Sequence, residues 1–229
     1  SIYAVFCAAF FKKYQALVMI GLYITGIVLG IIVALILKNT VFRGKPVPFV
    51  MELPNYRLPS AKSVGLLLWD KAKDFIQRAF TVIFFATIII WFLETFDAKL
   101  NVVKDSSDSL LALIGQAISP IFKPLGFADW RVTTSLISGF TAKEAVVSTM
   151  AVLMNTSTAN LGTALSGAFS TLSALSFLVF TLLYTPCVAA VATIKRELDS
   201  RIQTVGVVII QCMVAWLCGC AVYQIGALL

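Results

Sequence analysis

The stretch QALVMIGLYITGIVLGIIVALIL, Gln15 to Leu37, decides the fold. It carries no charged residue, and it exceeds the roughly 20 apolar residues that a helix needs to cross about 30 Å of hydrocarbon. Gly21, Gly26 and Gly30 recur along it at a spacing that lets helices approach closely in lipid. The rest of the chain has the same character. Of its 229 residues 59% are hydrophobic and 13% charged, against roughly 45–50% and about 25% in soluble domains; the mean hydropathy is +0.94. These features argue against a water-soluble globule and predict an all-α, polytopic helical membrane protein.

After this run the polarity changes. Lys38 to Arg78 carries eight basic residues against three acidic ones, a net +5, which assigns the loop to the cytoplasm by the positive-inside rule. Pro46, Pro48, Pro54 and Pro59 keep PVPFVMELPNYRLP extended, because each disfavours helix in the residue before it. Helix resumes after Pro59, with Ser60 or Ser63 as the cap. Val64, Leu67, Leu68, Ala72, Phe75, Ile76 and Ala79 then recur opposite Asp70, Lys71, Lys73 and Asp74, the pattern of an interfacial amphipathic helix that feeds into a second span, Ala79 to Phe96.

Asp97 to Ser109 has a net charge of −1 and reads as an external loop. Leu110 to Phe127 holds Pro120, Lys123 and Pro124, so it is a broken span or a re-entrant hairpin. If it crosses, Val132 to Met154 and Ser170 to Ile194 cross in turn, and Lys195, Arg196 and Arg201 fall inside, as the charge rule requires. Ile202 to Tyr223 then exits. The expected architecture is about six spans after a partial N-terminal segment, with broken or re-entrant helices. It divides into residues 1–37 (N-terminal partial segment and first span), 38–78 (cytoplasmic Pro-rich loop and interfacial helix) and 79–229 (membrane transport core). The chain opens on Ser1, with no basic region before the apolar Ile2 to Phe11; this does not read as a signal peptide, and a preceding segment is expected.

Composition also limits the chemistry. The chain has no histidine, which removes Ser-His and Cys-His nucleophile pairs, HExxH zinc sites and histidine-ligated haem. Cys7, Cys187, Cys212, Cys218 and Cys220 form no CxxC pair, so neither a disulfide framework nor a zinc ribbon is indicated. The net charge of +7 lies between apolar runs and reads as membrane topology rather than nucleic-acid binding. Gly44-Lys45 is no P-loop, because Asn39 stands where its first glycine would be; no nucleotide is expected on this chain. Met150 and Met154, and the three cysteines of the last run, read as packing residues, and Trp130 as an interfacial anchor.

Two segments carry candidate chemistry. SGFTAKEAVVSTM, Ser138 to Met150, places Lys143 and Glu144 within an apolar run, where an ionised side chain costs about 2.5–3.5 kcal/mol on insertion scales. Adjacent helical residues do not face each other, so either the helix breaks near Gly139 or the two charges serve different neighbours. A buried pair that fixes packing and a direct contact with substrate both fit. The second segment is Tyr184, Thr185, Pro186 and Cys187. A proline there frees carbonyls that protein, water or an ion must satisfy, beside a soft thiol. A plain kink with an inert cysteine fits equally.

FVMELPNYRLP (Phe49 to Pro59), DFIQRAFTVI leading into IIIWFL, ISPIFKPLGFADWR (Ile118 to Arg131), SGFTAKEAVVSTM and LLYTPCVAAVATIKRE (Leu182 to Glu197) occur together and in order. In combination they resemble the ferrous iron transport protein B family over nearly the whole chain. The resemblance implies a bacterial inner-membrane protein that takes up Fe²⁺, normally with an N-terminal cytoplasmic GTP-binding domain, small cytoplasmic accessory proteins as partners, and room for an oligomer. Leu182 to Glu197 resembles the second Gate-type motif, which occupies about residues 170–223, and the motif's cysteine falls on Cys187.

The implied site has Cys187, Glu144 and Thr185 as metal ligands, with Lys143, Thr141, Gly139 and Pro186 supporting a path where the two broken helices meet at mid-membrane. The Gate relationship also makes a nucleoside or other small-solute carrier the runner-up. An intramembrane enzyme with Cys187 as nucleophile is weakened by the absence of a histidine base, since a thiol of pKa about 8.5 needs activation. A non-transporting scaffold is the remaining reading. This chain itself is expected to be no enzyme.

Overall fold

A computed structural model describes residues 2–40, 59–103, 105–158, 160–184 and 187–228, without the side chains at 74, 75, 78 and 79. The Pro-rich path from Pro46 to Pro54 lies outside the described residues, as do Thr185 and Pro186.

Ten α-helices follow one another among these residues: α1 (Ile2–Phe10), α2 (Gln15–Thr40), α3 (Ala61–Thr95), α4 (Leu110–Ile118), α5 (Trp130–Ser138), α6 (Ala145–Leu153), α7 (Leu161–Ala168), α8 (Thr171–Leu183), α9 (Val188–Leu198) and α10 (Arg201–Leu228). The described residues contain no strand, only an isolated bridge between Phe96 and Val102. By length and composition Gln15–Thr40, Thr171–Leu198 and Arg201–Leu228 can each cross a membrane. The chain is an all-α polytopic membrane protein.

Helix starts follow the cap chemistry of the sequence. Ser60 accepts from the Ser63 amide at the start of α3, Asp129 from the Arg131 amide before α5, and Ser170 and Ser173 form a reciprocal pair before α8. Each supplies a partner to an otherwise orphan first-turn donor. α3 is continuous from the amphipathic stretch into the apolar one, as expected.

The broken segment is resolved as a sharp bend. α4 gives way to a 3₁₀ stretch, Ser119–Leu125, containing both prolines, and α5 departs at 106°. Gly126 makes the turn in the left-handed region, at φ 83°, and a Cβ there would strike the Tyr223 ring. The terminal carbonyls of Ile121 and Pro124 accept from Trp216 Nε1 at 3.0 Å and Gln224 Nε2 at 2.9 Å on α10. A frayed helix end within hydrocarbon needs such partners.

Two expectations are corrected. Val132 to Met154 is not one continuous helix but two, α5 and α6, interrupted at residues 139–144, the break near Gly139 that the adjacent charges had left open. The short loop closes its own hydrogen bonds, Thr141 N and Oγ1 both donating to the Ser138 carbonyl and Ala145 N to Ala142 O, so the break leaves few orphan groups. Of the three spaced glycines in α2, Gly26 alone meets a neighbour, the Leu182 side chain, while Gly21 and Gly30 have nothing within 4 Å. A small-residue stripe permits close approach but needs a partner helix on that face.

The core is aromatic. Phe6 of α1 stacks on Phe177 at 4.8 Å, Phe127 meets Phe177 edge-on at 5.3 Å, and Phe180 stacks on Tyr184 at 5.4 Å. Such pairs add about 0.5–1.5 kcal/mol each beyond burial. α1 is therefore a buried wedge, with Ile2, Phe6 and Cys7 in the core. α2, by contrast, buries only Leu22, which suits a helix whose surroundings are lipid.

Candidate functional site

The two interrupted helices come together. The α5–α6 break spans residues 139–144, and the α8–α9 break lies between Tyr184, the C-cap of α8, and Cys187, the N-cap of α9. Val188 N donates to the Phe140 carbonyl at 2.9 Å. This main-chain bond pins one break to the other.

Gly139 is buried at the contact. A Cβ on it would collide with the Val146 side chain and lie 3.1 Å from the Tyr184 hydroxyl. The glycine is thus required by close approach, its backbone being ordinary right-handed helix.

Lys143 reaches from the break between two aromatic rings. Its Nζ lies 5.7 Å from the Tyr184 centroid and 5.8 Å from that of Tyr3. Both distances are within cation–π range. Cys187 and Glu144 lie within its electrostatic reach, and Tyr184 is in turn within reach of Cys187 and Cys212. Cys187 is half-buried, in extended backbone geometry.

Glu144 differs from Lys143: it is exposed, at the N-cap of α6, and makes no side-chain cap bond. The two adjacent charges therefore serve different surroundings. Thr141 is half-buried and tied to Ser138. Tyr184 is 7% exposed and its hydroxyl has no hydrogen-bond partner among the described residues.

Tyr3 was not singled out by the sequence, and Cys212 was read from it only as a packing residue; nothing in their local patterns marks them as part of the site. They reach the site through α1 and α10, which pack on α8. Glu94 was missed too; it accepts from Ser138 Oγ at 3.0 Å, and its one signal is a carboxylate at the end of an apolar helix. Among the described residues no cluster of three or more His, Cys, Asp or Glu is placed to hold a metal.

The fold and this paired break define a helical membrane protein with discontinuous helices, a class that binds solutes at such interruptions. Residues 76–201 match the family model described as Gate, nucleoside recognition, and residues 19–71 match that for the ferrous iron transport protein B C terminus. The chain belongs to the ferrous iron transport protein B family, as part of its C-terminal membrane region. It is 36% identical to the Fe(2+) transporter FeoB of Staphylococcus aureus over 227 residues, covering 99% of this chain and 34% of the relative. It is also 36% identical to the Fe(2+) transporter FeoB of Methanocaldococcus jannaschii over 204 residues, 86% of this chain and 30% of the relative. With the Porphyromonas gingivalis Fe(2+) transport protein A/Fe(2+) transporter FeoB fusion protein the identity is 32% over 275 residues, 99% of this chain and 32% of the relative. The chain spans about a third of the length of the curated relatives it matches. No solved structure matches it.

Proposed function

We propose that this chain is the membrane path for Fe²⁺ uptake across a bacterial inner membrane, working with a GTP-binding domain elsewhere in the protein and with small cytoplasmic accessory proteins. The observation that carries this reading is the junction of the two helix breaks, bonded from Val188 to Phe140, with Cys187 beside it. The relatives' printed names, Fe(2+) transporter, support the substrate.

In this reading Cys187 is the soft ligand, Glu144 the charge-compensating carboxylate, Thr185 an oxygen donor and Pro186 a support of the path. Lys143 tunes or gates the path, and Gly139 and Thr141 hold the break open to it. Fe²⁺ accepts mixed sulfur and oxygen donors, and selectivity over Cu²⁺ and Zn²⁺ then comes from geometry and supply. A site with few side-chain ligands suits conduction, which needs binding weak enough for the ion to leave. The chain transports and catalyses no reaction of its own. Lys38 to Arg78 faces the cytoplasm and Asp97 to Ser109 the outside, on their charge balance.

Nucleoside transport is the weaker alternative. Two further cavities, of about 320 and 450 Å³, are lined mainly by aliphatic side chains such as Leu29, Val33, Leu17 and Val179, and offer little to hold a base or ribose.

The test is Fe²⁺ uptake by the complete protein with Cys187 or Cys187→Ser. A steep fall in flux is expected, with thermal stability nearly unchanged, because volume-conserving swaps usually cost under about 1.5 kcal/mol. A fully active serine variant, or an iron ion held permanently, overturns the mechanism.

A further inference from the structure

The two rings beside Lys143 stand on packed helices, whereas Lys143 itself stands in a break. Phe177, Phe180 and Tyr184 follow one another at steps of three and four residues, so they share one face of α8. Phe180 stacks on Tyr184 at 5.4 Å, and Phe127 closes edge-on against Phe177 at 5.3 Å. The Tyr184 amide still donates to the Phe180 carbonyl at 2.9 Å, which continues the last turn of the helix under the ring. Tyr3 precedes Phe6 by three residues on α1, and Phe6 stacks on Phe177 at 4.8 Å and meets Phe169 edge-on at 5.3 Å. Both rings are therefore anchored in the aromatic core.

Lys143 belongs to residues 139–144, between α5 and α6. Upstream of it the break is tied down, Phe140 accepting from Val188 N and Thr141 donating to Ser138. The lysine side chain is a point charge on a flexible four-carbon stem. Its Nζ lies 5.7 Å from the Tyr184 centroid and 5.8 Å from that of Tyr3. A ring face offers the ammonium an attractive quadrupole in place of water, without the directional bond of an ion pair. The walls are fixed and the cation between them is movable.

The position of this cage matters because of what adjoins it. Cys187, at the N-cap of α9, is half-buried and within electrostatic reach of Lys143. Leu182 and Leu183, just before Tyr184, share a cavity with Val207, Ile210 and Val214 of α10, while a Cβ on Gly226, towards the far end of that helix, would meet Leu172. The junction thus lies within the apolar length of α10. Two positive charges a few ångströms apart repel far more strongly there than in water.

We infer that Tyr3 and Tyr184 form a fixed two-ring cage that holds the Lys143 ammonium beside Cys187, so that a cation takes the Cys187 position only when Lys143 has left the cage. Tyr3 is the newly assigned residue, a positioning residue that acts through Lys143. Which ion is admitted rests on the transport reading; the mutual exclusion rests on the geometry alone.

The test is the reaction of Cys187, in the complete membrane-embedded protein, with two thiol reagents of similar size, a trimethylammonium-bearing methanethiosulfonate and a neutral one. Mass spectrometry of the Cys187 peptide gives each rate. The ratio of cationic to neutral rate cancels a mere change in exposure, because both reagents meet the same opening. Lys143→Met should raise that ratio about tenfold or more, the effect of removing a unit charge at short range from a poorly screened site. Lys143→Arg should keep the wild-type ratio. Tyr3→Leu should raise it several-fold, and Tyr3→Phe, which retains the ring, should restore it. An unchanged ratio in Lys143→Met or Tyr3→Leu overturns the inference, and so does a Cys187 that reacts with neither reagent in Lys143→Met. If the ratios shift as expected while the complete wild-type protein takes up no Fe²⁺, the transport reading fails and the cage stands. If Fe²⁺ uptake requires Cys187 but the ratio ignores Lys143 and Tyr3, the cage fails and the transport reading stands.

Discussion

The amide of Val188 donates to the carbonyl of Phe140 across 48 residues of chain, at 2.9 Å, and this bond brings the two helix interruptions to one place. Each break alone would leave a carbonyl or an amide short of a partner within an apolar region, where an unmet backbone group costs several kcal/mol. Joined, they satisfy one another and leave Cys187, Lys143 and Tyr184 as neighbours.

Gly139 is where this junction tolerates least. Gly139→Ala should lower stability by about 1–3 kcal/mol, the usual cost of overpacking, because the added methyl meets Val146 and approaches the Tyr184 hydroxyl. Thermal unfolding in detergent measures it. The double change Gly139→Ala with Val146→Ala should recover part of the loss; equal stability of Gly139→Ala and wild type would show that the contact yields freely.

Lys143→Met keeps the length of the side chain and removes the charge that lies over Tyr3 and Tyr184. Two cation–π contacts of this kind contribute roughly 0.5–2 kcal/mol each, so a drop in stability of about 1–4 kcal/mol is expected. The comparison variant is Lys143→Arg, which should retain most of it.

Glu144 should behave in the opposite way. It is exposed and caps nothing with its side chain, so Glu144→Gln should change stability by less than about 0.5 kcal/mol, as surface changes usually do. Fe²⁺ uptake should nonetheless fall if the carboxylate compensates the ion. Normal uptake in Glu144→Gln would remove it from the path.

Asp97, just beyond α3, gives a pH-dependent feature. The Asn101 amide, bonded at 2.9 Å, and the Lys99 amide at 2.7 Å hold its carboxyl below the usual carboxylate range. A carboxylate with a lowered folded pKa stabilises its loop above its unfolded value, about 3.9. The contribution is lost as pH falls through the lower folded value. Protection of the Asn101 amide from hydrogen exchange should therefore persist to pH values below 3.9 and vanish under stronger acid, and Asp97→Asn should abolish that pH dependence.

The sequence by itself determined the class of molecule. The uncharged run Gln15 to Leu37 and the cap at Ser60 are local properties, and the helices they imply are present. The interruption near Gly139 was open from sequence because adjacent Lys143 and Glu144 fit either a broken helix or two sets of neighbours; the tertiary structure has both, a break at residues 139–144 and different surroundings for the two charges. Tertiary structure alone decided that Tyr3, from the N-terminal wedge, faces Lys143, that Glu94 meets Ser138, and that Gly26 rather than Gly21 or Gly30 finds a neighbour. These contacts join residues 44 to 156 positions apart, and no periodicity of 3.6 encodes them. What selects them is the need to bury the aromatic core of α1 and α8 and to satisfy every backbone group where a helix stops inside an apolar layer.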